Sequence, residues 1–565
     1  MGLEPVSDGN GRSRWPKRRS IEGVRRFCAF VAGRVSERRG LVGTVATIAT
    51  VATVTLVARL PGWNPPTLRP DDLIYGAVVK SAFVDLLTAP IHVAPGVLVV
   101  LQLFYSVLPD PEWSLQLFPF VCGLAAVPAM TALVGSLTRD GRMAALAGAA
   151  TALNPLLAHY SVTVRQYSLD FLMTALFLLA AARLLAGEGG IDRRRLTWTA
   201  VWGALAIPFS VTSVFASGPT IAVGTACAIW RHFRAGEPGW RLQQCAGILA
   251  SAAGYGAVLI VAYVLLQERS NPLIRDYWDE GFMPLDVAGA REFLAAYGRS
   301  VLERSLPLWE TVGSAAPAIS TADPDGRAMQ TASWPLPLLG IGLAGLLWRR
   351  RTRRFGLVVV MFYASCMAAS ALQVYPFGAG RPDIFAFPAG ICLFAAGVDA
   401  VVQRWPGAGA CRWVAAGIVV LFAIVRPVQT PYAWTADEAT LVRHLSAAAR
   451  PEDGIFLSHG GAFLAAFYGR WPVVVTETEL VSYGAEASLV RNNTLVLPFS
   501  RSQDEAVSKF LEEGRPERIW YLAYSTLMGR EGVLGTLRRQ GFLVQRLQDA
   551  GTGTLYVALD YARPR

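Results

Sequence analysis

The chain has 565 residues, 53% hydrophobic and only 16% charged, with a mean hydropathy of +0.37. That balance excludes an ordinary soluble protein of this size and calls for a multi-pass α-helical membrane protein. The net charge of +11 sits largely in short basic clusters between apolar runs, where it orients helices and gives no sign of nucleic acid.

Residues 1–40 hold ten Arg or Lys against four acids, so the N-terminus is expected in the cytoplasm. Its first apolar run has no convincing cleavage site after it and reads as a retained helix. Apolar runs near the ~20 residues that cross a bilayer predict spans at 41–60, 115–137, 143–160, 168–186, 197–213, 216–231, 245–266, 334–348, 355–375, 384–403 and 411–428. A twelfth run, 93–108, is short, holds Gln102 and is bounded by Pro95 and Pro109. Read as a helix in the outer interface, it leaves the basic loops Arg139/Arg142, Arg193–Arg195, Arg231–Arg241, Arg349–Arg354 and Arg404/Arg412 all inside. Read as a span, it would put all five outside, against the usual charge bias. The expected topology is therefore eleven spans in the cytoplasmic membrane, with the C-terminus outside. The outer elements are 61–114, Ser161–Gln166, 267–333 and Pro376–Asp383.

The tail, 430–565, changes character. Short apolar strands such as GIFLSH and WPVVVTE alternate with charged helical stretches such as DEAVSKFLEEG. That alternation predicts a small extracytoplasmic α/β domain. The tail has no GxGxxG or P-loop signature. The three expected parts are thus a basic N-terminus (1–40), a membrane domain (41–429) and the outer domain (430–565). Seven cysteines form no CxxC pair and none lies beyond Cys411, so neither a disulfide framework nor a zinc site is implied. Only Lys17, Lys80 and Lys509 are lysine among 52 basic residues. With abundant Ala and Gly, that bias points to a GC-rich bacterial genome.

Chemistry concentrates in the outer elements. Asp71 and Asp72 follow Pro70 at the start of an amphipathic stretch. There they can cap a helix, and a carboxylate there can also take a proton from an acceptor hydroxyl. Arg165 gains nothing from the positive-inside bias. It either snorkels to lipid phosphates or holds a substrate phosphate through paired N–H bonds. Tyr167 follows it, and Asp170 at the head of the next span needs a partner, for which Arg165 is the expected one. Arg381, after Gly378 and Gly380, offers a second cation or an ordinary turn. His92 is a lone histidine before Pro95 and Gly96, more often structural than catalytic. Lys80, the only lysine between residues 18 and 508, faces either the same cavity or the surface. Loop 267–333 carries Asp276, Tyr277, Trp278, Asp279, Glu280 and Trp309, suited to sugars or to the headgroup belt.

In order and sidedness these residues resemble the GT-C superfamily of membrane glycosyltransferases, particularly the protein mannosyltransferase and aminoarabinose-transferase branch. Asp71, Asp72, Leu73, Ile74, Tyr75 and Gly76 follow that family's Asp-Glu-x-x-Tyr-Ala first loop. His92, Pro95 and Gly96 resemble its His/Pro-rich approach to a juxtamembrane helix. Tyr160, Ser161, Arg165 and Tyr167 match Tyr-Ser-x-x-x-Arg-x-Tyr, and Gly380 with Arg381 loosely matches a late Gly-x-Arg loop. The resemblance covers roughly 40–400. It departs at Asp72, where Glu is usual, at the single Pro95, and in the lack of a lysine after His92.

The resemblance implies glycosyl transfer from a polyprenyl-phosphate sugar to a glycan, lipid or protein acceptor at the outer face. Asp71 would be the base, with Asp72 beside it, and Arg165 would bind the carrier phosphate. Tyr167, Asp170, His92, Arg381 and Lys80 are the further candidates for substrate binding. No cofactor is required, although Asp71 and Asp72 have the chemistry to ligate a divalent cation with substrate phosphate. An outer-leaflet glycan polymerase or ligase would lean less on a first-loop acidic pair. A lipid or glycan transporter would need mid-membrane polar residues and repeated halves, and no clear repeats or charged relay stand out.

Overall fold

A computed structural model describes residues 68, 70–80, 93–108, 111–152, 154–185, 191–234, 241–269, 281–294, 335–377, 381–404, 438–469, 473–476, 486–489, 494–497, 503–524, 530–550 and 553–560. The expected spans 41–60 and 411–428, residues 1–40 and most of loop 267–333 lie outside these.

The membrane part is helical: α1 (Pro70–Val79), α2 (Pro95–Val107), α3 (Pro111–Thr138), α4 (Gly141–Ala152), α5 (Pro155–Tyr160), α6 (Tyr167–Leu185), α7 (Arg193–Ala206), α8 (Val214–Arg234), α9 (Arg241–Arg269), α10 (Pro335–Trp348), α11 (Arg353–Ala371) and α12 (Phe387–Arg404). Six stretches among the described residues are long and apolar enough to cross a bilayer: Glu112–Thr138, Tyr167–Leu185, Val211–Arg231, Ala246–Leu265, Arg353–Ala371 and Asp383–Arg404. The chain is a multi-pass membrane protein.

Three expected spans differ: the run 334–348 is the 14-residue α10, shorter than a bilayer crossing needs, and two others are broken or cut short. The run 143–160 is broken, because Pro155 has no N–H to continue α4 and Asn154 instead caps α5, accepting from Leu157 N at 3.0 Å. The span expected over 197–213 stops at Ala206, and the turn lies before Val211, where a 3-10 turn (Val211–Ser213) feeds α8. At 14 residues, α7 reaches about 21 Å, short of a ~30 Å hydrocarbon core. Helix α2 has 13 residues and reaches about 20 Å, so it does not cross alone.

Packing is close where residues are small. A Cβ on Gly342 of α10 would fall 1.9 Å from the Leu393 carbonyl of α12, so only glycine permits that crossing. Helix α9, by contrast, leaves Ile260, Val261, Val264 and Leu265 exposed, as a lipid-facing helix does.

The bundle has two distinct ends. At one, Arg351 donates to Ser136 O near the end of α3, and Arg349 binds Asp399 at 2.9 Å and Gln403 at 2.8 Å near the end of α12. Gly247 of α9 abuts Arg193 at the start of α7. The basic loops at 139/142, 193–195 and 349–354, with Arg404, therefore gather at one end. The start of α3 lies at the other end with α1.

Beyond Arg404 the described chain resumes with α13 (Glu438–Ala448), followed by β1 (Gly454–Leu457), α14 (His459–Tyr468), β2 (Val473–Thr476), β3 (Glu486–Leu489), β4 (Thr494–Val496), α15 (Gln503–Glu513), β5 (Arg518–Tyr524), α16 (Arg530–Arg539), β6 (Phe542–Ala550) and β7 (Gly553–Asp560). One sheet runs β4-β1-β5-β7-β6, and β2 pairs with β3 apart from it. Strands β4, β1 and β5 are parallel, while β7 pairs antiparallel with β5 and β6. The two-residue period of the strands sorts their side chains. Ile455, Leu457, Trp520 and Leu522 face α13 and α14. Phe456, Ile519, Tyr521 and Ala523 face α15 and α16. Helices thus cover both faces, which is why β1 is buried throughout.

The first of those cores does not stop at the sheet. It continues through Phe463 and Phe467 of α14 into Leu73, Val78 and Val79 of α1, and Val97, Leu98 and Leu101 of α2. The C-terminal sheet and the first-loop helices share one hydrophobic core.

Candidate functional site

Helix α1 starts with Pro70, whose missing N–H costs nothing at a helix start, and carries two acids in its first turn. Asp72 points inward and is 2% exposed. Its Oδ1 accepts from the backbone N of Val164 at 3.1 Å. Tyr75, one turn later on the same face, accepts from Arg165 Nη1 at 2.6 Å, and the guanidinium carbon lies 4.8 Å from its ring centroid. One face of α1 thereby grips the segment Ser161–Gln166, twice, ninety residues away in sequence.

That segment is held from every side. Ser161 donates to Leu157 O, and its Oγ would lie 1.9 Å from a Cβ on Gly123 of α3. Thr163 Oγ1 donates to His159 O at 3.1 Å. Gln166 Oε1 accepts from Ala94 N at 3.2 Å, at the start of α2, whose Gly96 N donates to Pro208 O at 2.8 Å. Gln102 of α2 donates to Val79 O at 3.2 Å, satisfying a carbonyl in the last turn of α1. Helices α1, α2 and α6 therefore meet at Arg165.

Tyr167 begins α6 and packs edge-on to Tyr160 with centroids 4.7 Å apart. Asp170, 1% exposed, accepts from Ser210 Oγ at 2.6 Å, and Ser210 is 3.3 Å from Thr212 Oγ1. This corrects the sequence expectation for that acid. Its partner is the hydroxyl of Ser210 in the turn before α8, while the guanidinium of Arg165 goes to Tyr75. Forty residues separate Asp170 from Ser210, and no local pattern announces the pair.

Arg381 opens a short 3-10 segment (Arg381–Ala386). Tyr375, just before that loop, packs against Phe215 and Phe385 at 5.5 and 5.6 Å. Burial first, then the carboxylates of Asp170 and Asp383, hold the Tyr375 phenol well above its ordinary pKa. The late loop thus comes to the same end as Arg165 and Asp170. The side chains of Asp71 and Arg381, and all of His92, lie outside the described residues.

Lys80 turns elsewhere. Its ammonium donates to the Phe467 carbonyl and sits 4.9 Å above the Phe467 ring. The residue as a whole is exposed, but its charged end is pressed against α14, and burial lowers its pKa to about 8. Among the described residues no group of three or more His, Cys, Asp or Glu gathers as metal ligands would.

Chemically, this end of the bundle offers a first-turn acidic pair, a guanidinium oriented by a phenol, and buried hydroxyls beside a buried carboxylate. Tyr75, Gln166 and Ser210 are the residues that sequence reasoning did not assign. Tyr75 stands in the first-loop motif, and its spacing of three from Asp72 puts both on one helix face.

No protein-family model matches the chain, and no curated protein matches it. It is similar to the solved structure of ArnT from Cupriavidus metallidurans bound to undecaprenyl phosphate, at 11% identity over 93% of this chain and 99% of that one, with a TM-score of 0.49. The apo form of that ArnT gives 12% identity, 91% and 98% coverage and a TM-score of 0.48. The archaeal oligosaccharyltransferase AglB from Archaeoglobus fulgidus, in complex with an inhibitory peptide and a dolichol-phosphate, gives 11%, 84% and 69%, and 0.45.

Proposed function

We propose that the chain transfers a sugar from a polyprenyl-phosphate donor to an acceptor hydroxyl at the outer face of the membrane. The observation that carries this reading is the double grip of α1 on the Arg165 segment, through Asp72 to Val164 N and Tyr75 to Arg165. It ties Asp72 and the Arg165 guanidinium to one short helix at the end of the bundle opposite the basic loops.

In this reading the acceptor oxygen attacks the anomeric carbon and forms the new glycosidic bond. The bond from that carbon to the phosphate oxygen breaks, and polyprenyl phosphate leaves with the electron pair. Asp71 takes the acceptor proton. Arg165, with Arg381 as a second cation, meets the charge that grows on the phosphate. The leaving phosphate is already acidic, so no second protein acid is required, unlike the two-carboxylate arrangement of glycoside hydrolases. The step as written draws on no metal.

Asp72 takes a different part from its neighbour. Its carboxylate holds the Arg165 segment, so it is a positioning residue. Tyr75 fixes the plane of the guanidinium by a hydrogen bond and by lying beneath it. A lysine would lack the planar fork that pairs with a phosphate.

The test uses the full chain in lipid nanodiscs with a panel of undecaprenyl-phosphate sugars, following release of undecaprenyl phosphate. Asp71→Asn is expected to abolish release while leaving donor bound. Full turnover by that variant removes Asp71 as the base. Movement of solute across vesicles, with no release from any donor, would favour a transporter.

A further inference from the structure

Helix α14 of the C-terminal sheet packs on helix α1 of the membrane part, a contact that the transfer chemistry does not use. We infer that α14 is a latch that positions the first-loop helix, with Phe467, Tyr468 and Gly76 as its positioning residues. The inference rests on the transferase reading only for what α1 carries.

Helix α14 is firmly seated on its own sheet. Ser458 caps it by accepting from Gly461 N at 3.1 Å. A Cβ on Gly461 would fall 2.6 Å from Leu522 O of β5, so helix and strand are in direct backbone contact. Phe463 and Leu464 are buried against the sheet. Its far end reaches the membrane part by three separate routes. The Phe467 ring lies over Gly76 so closely that a Cβ there would be 2.5 and 2.7 Å from ring carbons. Tyr468 donates from its hydroxyl to Glu112 Oε1 at 2.6 Å, at the start of α3. Lys80 donates to the Phe467 carbonyl. Phe467 is 3% exposed, so the ring is a buried plug in the shared core.

Gly76 lies one residue after Tyr75 and four after Asp72. A shift of α1 at Gly76 would move both groups that hold the Arg165 segment. At 10 residues, α1 is below the length at which a helix stands alone in water. Its place depends on what it packs against, and at Gly76 that is a side chain of the C-terminal sheet unit.

Glycine and alanine give the test a sign. In a helix without the latch, Gly76→Ala would favour α1 and slow its amide exchange, since alanine is the better helix former. With the latch, the new methyl drives against Phe467, and exchange across 70–79 should quicken by about tenfold or more, as overpacking does. Gly76→Ala/Phe467→Leu frees the space and should return exchange to the wild-type rate or below. Affinity for undecaprenyl phosphate, measured on the full chain in nanodiscs, should fall about fivefold in Gly76→Ala and recover in the double variant, as it would if binding draws on a preorganised site. Tyr468→Phe, which removes one hydroxyl and no bulk, should quicken the same segment by a smaller factor. Slower or unchanged exchange in Gly76→Ala overturns the latch. Quicker exchange with unchanged affinity overturns its role in setting the site. If wild type does not bind undecaprenyl phosphate, the transferase reading fails, and the exchange arm alone still decides whether α14 holds α1.

Discussion

Replacing Asp72 separates a holding carboxylate from a reacting one. The side chain is 2% exposed, and its Oδ1 accepts from Val164 N at 3.1 Å. A hydrogen bond contributes roughly 0.5–1.5 kcal/mol, and a buried N–H left without its acceptor costs about 1–3 kcal/mol. Asp72→Ala should therefore loosen the segment by about 2 kcal/mol, close to a thirtyfold rise in the exchange rate of the Val164 amide. Asp72→Asn keeps an oxygen at that position without the charge. Weakening that one bond by about 1 kcal/mol without losing it predicts only about a fivefold rise. Undecaprenyl phosphate affinity should follow the same order, with those factors as upper limits, because binding must restore the order that the substitution removed. Amide exchange read by mass spectrometry on the full chain measures the first quantity, and a lipid titration the second. Equal Val164 exchange in wild type and Asp72→Ala would refute the holding role. So would an Asp72→Asn protein with wild-type exchange and no turnover, since the carboxylate would then be taking the proton itself.

Other expectations follow from neighbouring contacts. Arg165→Ala should weaken undecaprenyl phosphate binding at least about tenfold, in keeping with a lost charge-assisted pair. Arg165→Lys should recover part of it, and Tyr75→Phe, which keeps the ring but not the 2.6 Å bond, should lie between lysine and wild type. Equal affinity in wild type and Arg165→Ala would leave Arg165 as a snorkelling residue. In the C-terminal sheet, Asp453 is 4% exposed and accepts from Arg518, Trp520 Nε1 and Arg450 N. Burial pushes its pKa up, but those donors outweigh it and hold the carboxyl below the ordinary 3.8. A depressed carboxyl stabilises the fold above that value and loses the contribution as pH falls through its folded pKa. Asp453→Ala should cost the C-terminal sheet about 2–3 kcal/mol, discounted for the partial exposure of Arg518, read as faster exchange in β1 and β5 at neutral pH and a smaller acid dependence than wild type. For orientation, single cysteines at 110, 325 and 500 in a cysteine-free background should label from outside intact cells. Those at 140, 193 and 351 should label only after permeabilisation, and the reverse pattern at 110, 140 and 351 would make 93–108 a span.

Composition and periodicity by themselves determined the class of this protein. Long apolar runs cross a bilayer because only closed backbone hydrogen bonding survives there, so α3, α6, α8, α9, α11 and α12 are legible from hydropathy alone. Strand-length apolar runs between charged helical stretches likewise announced a sheet with helices in the tail. Local punctuation was less decisive. Pro155 was in plain view, yet its break in the run 143–160 depends on Asn154 turning back to cap α5. The first-loop motif placed Asp71, Asp72 and Tyr75 on one short stretch, and its expected outer position marked Arg165 as unusual. What the sequence could not express is which partner each buried polar group would find. Asp72 meets Val164, Arg165 meets Tyr75, and Asp170 meets Ser210 across separations of 92, 90 and 40 residues. A buried donor or acceptor must be satisfied by whatever group the packing brings within about 3 Å. Only the tertiary structure brings them there, and only it seats Phe467 against Gly76.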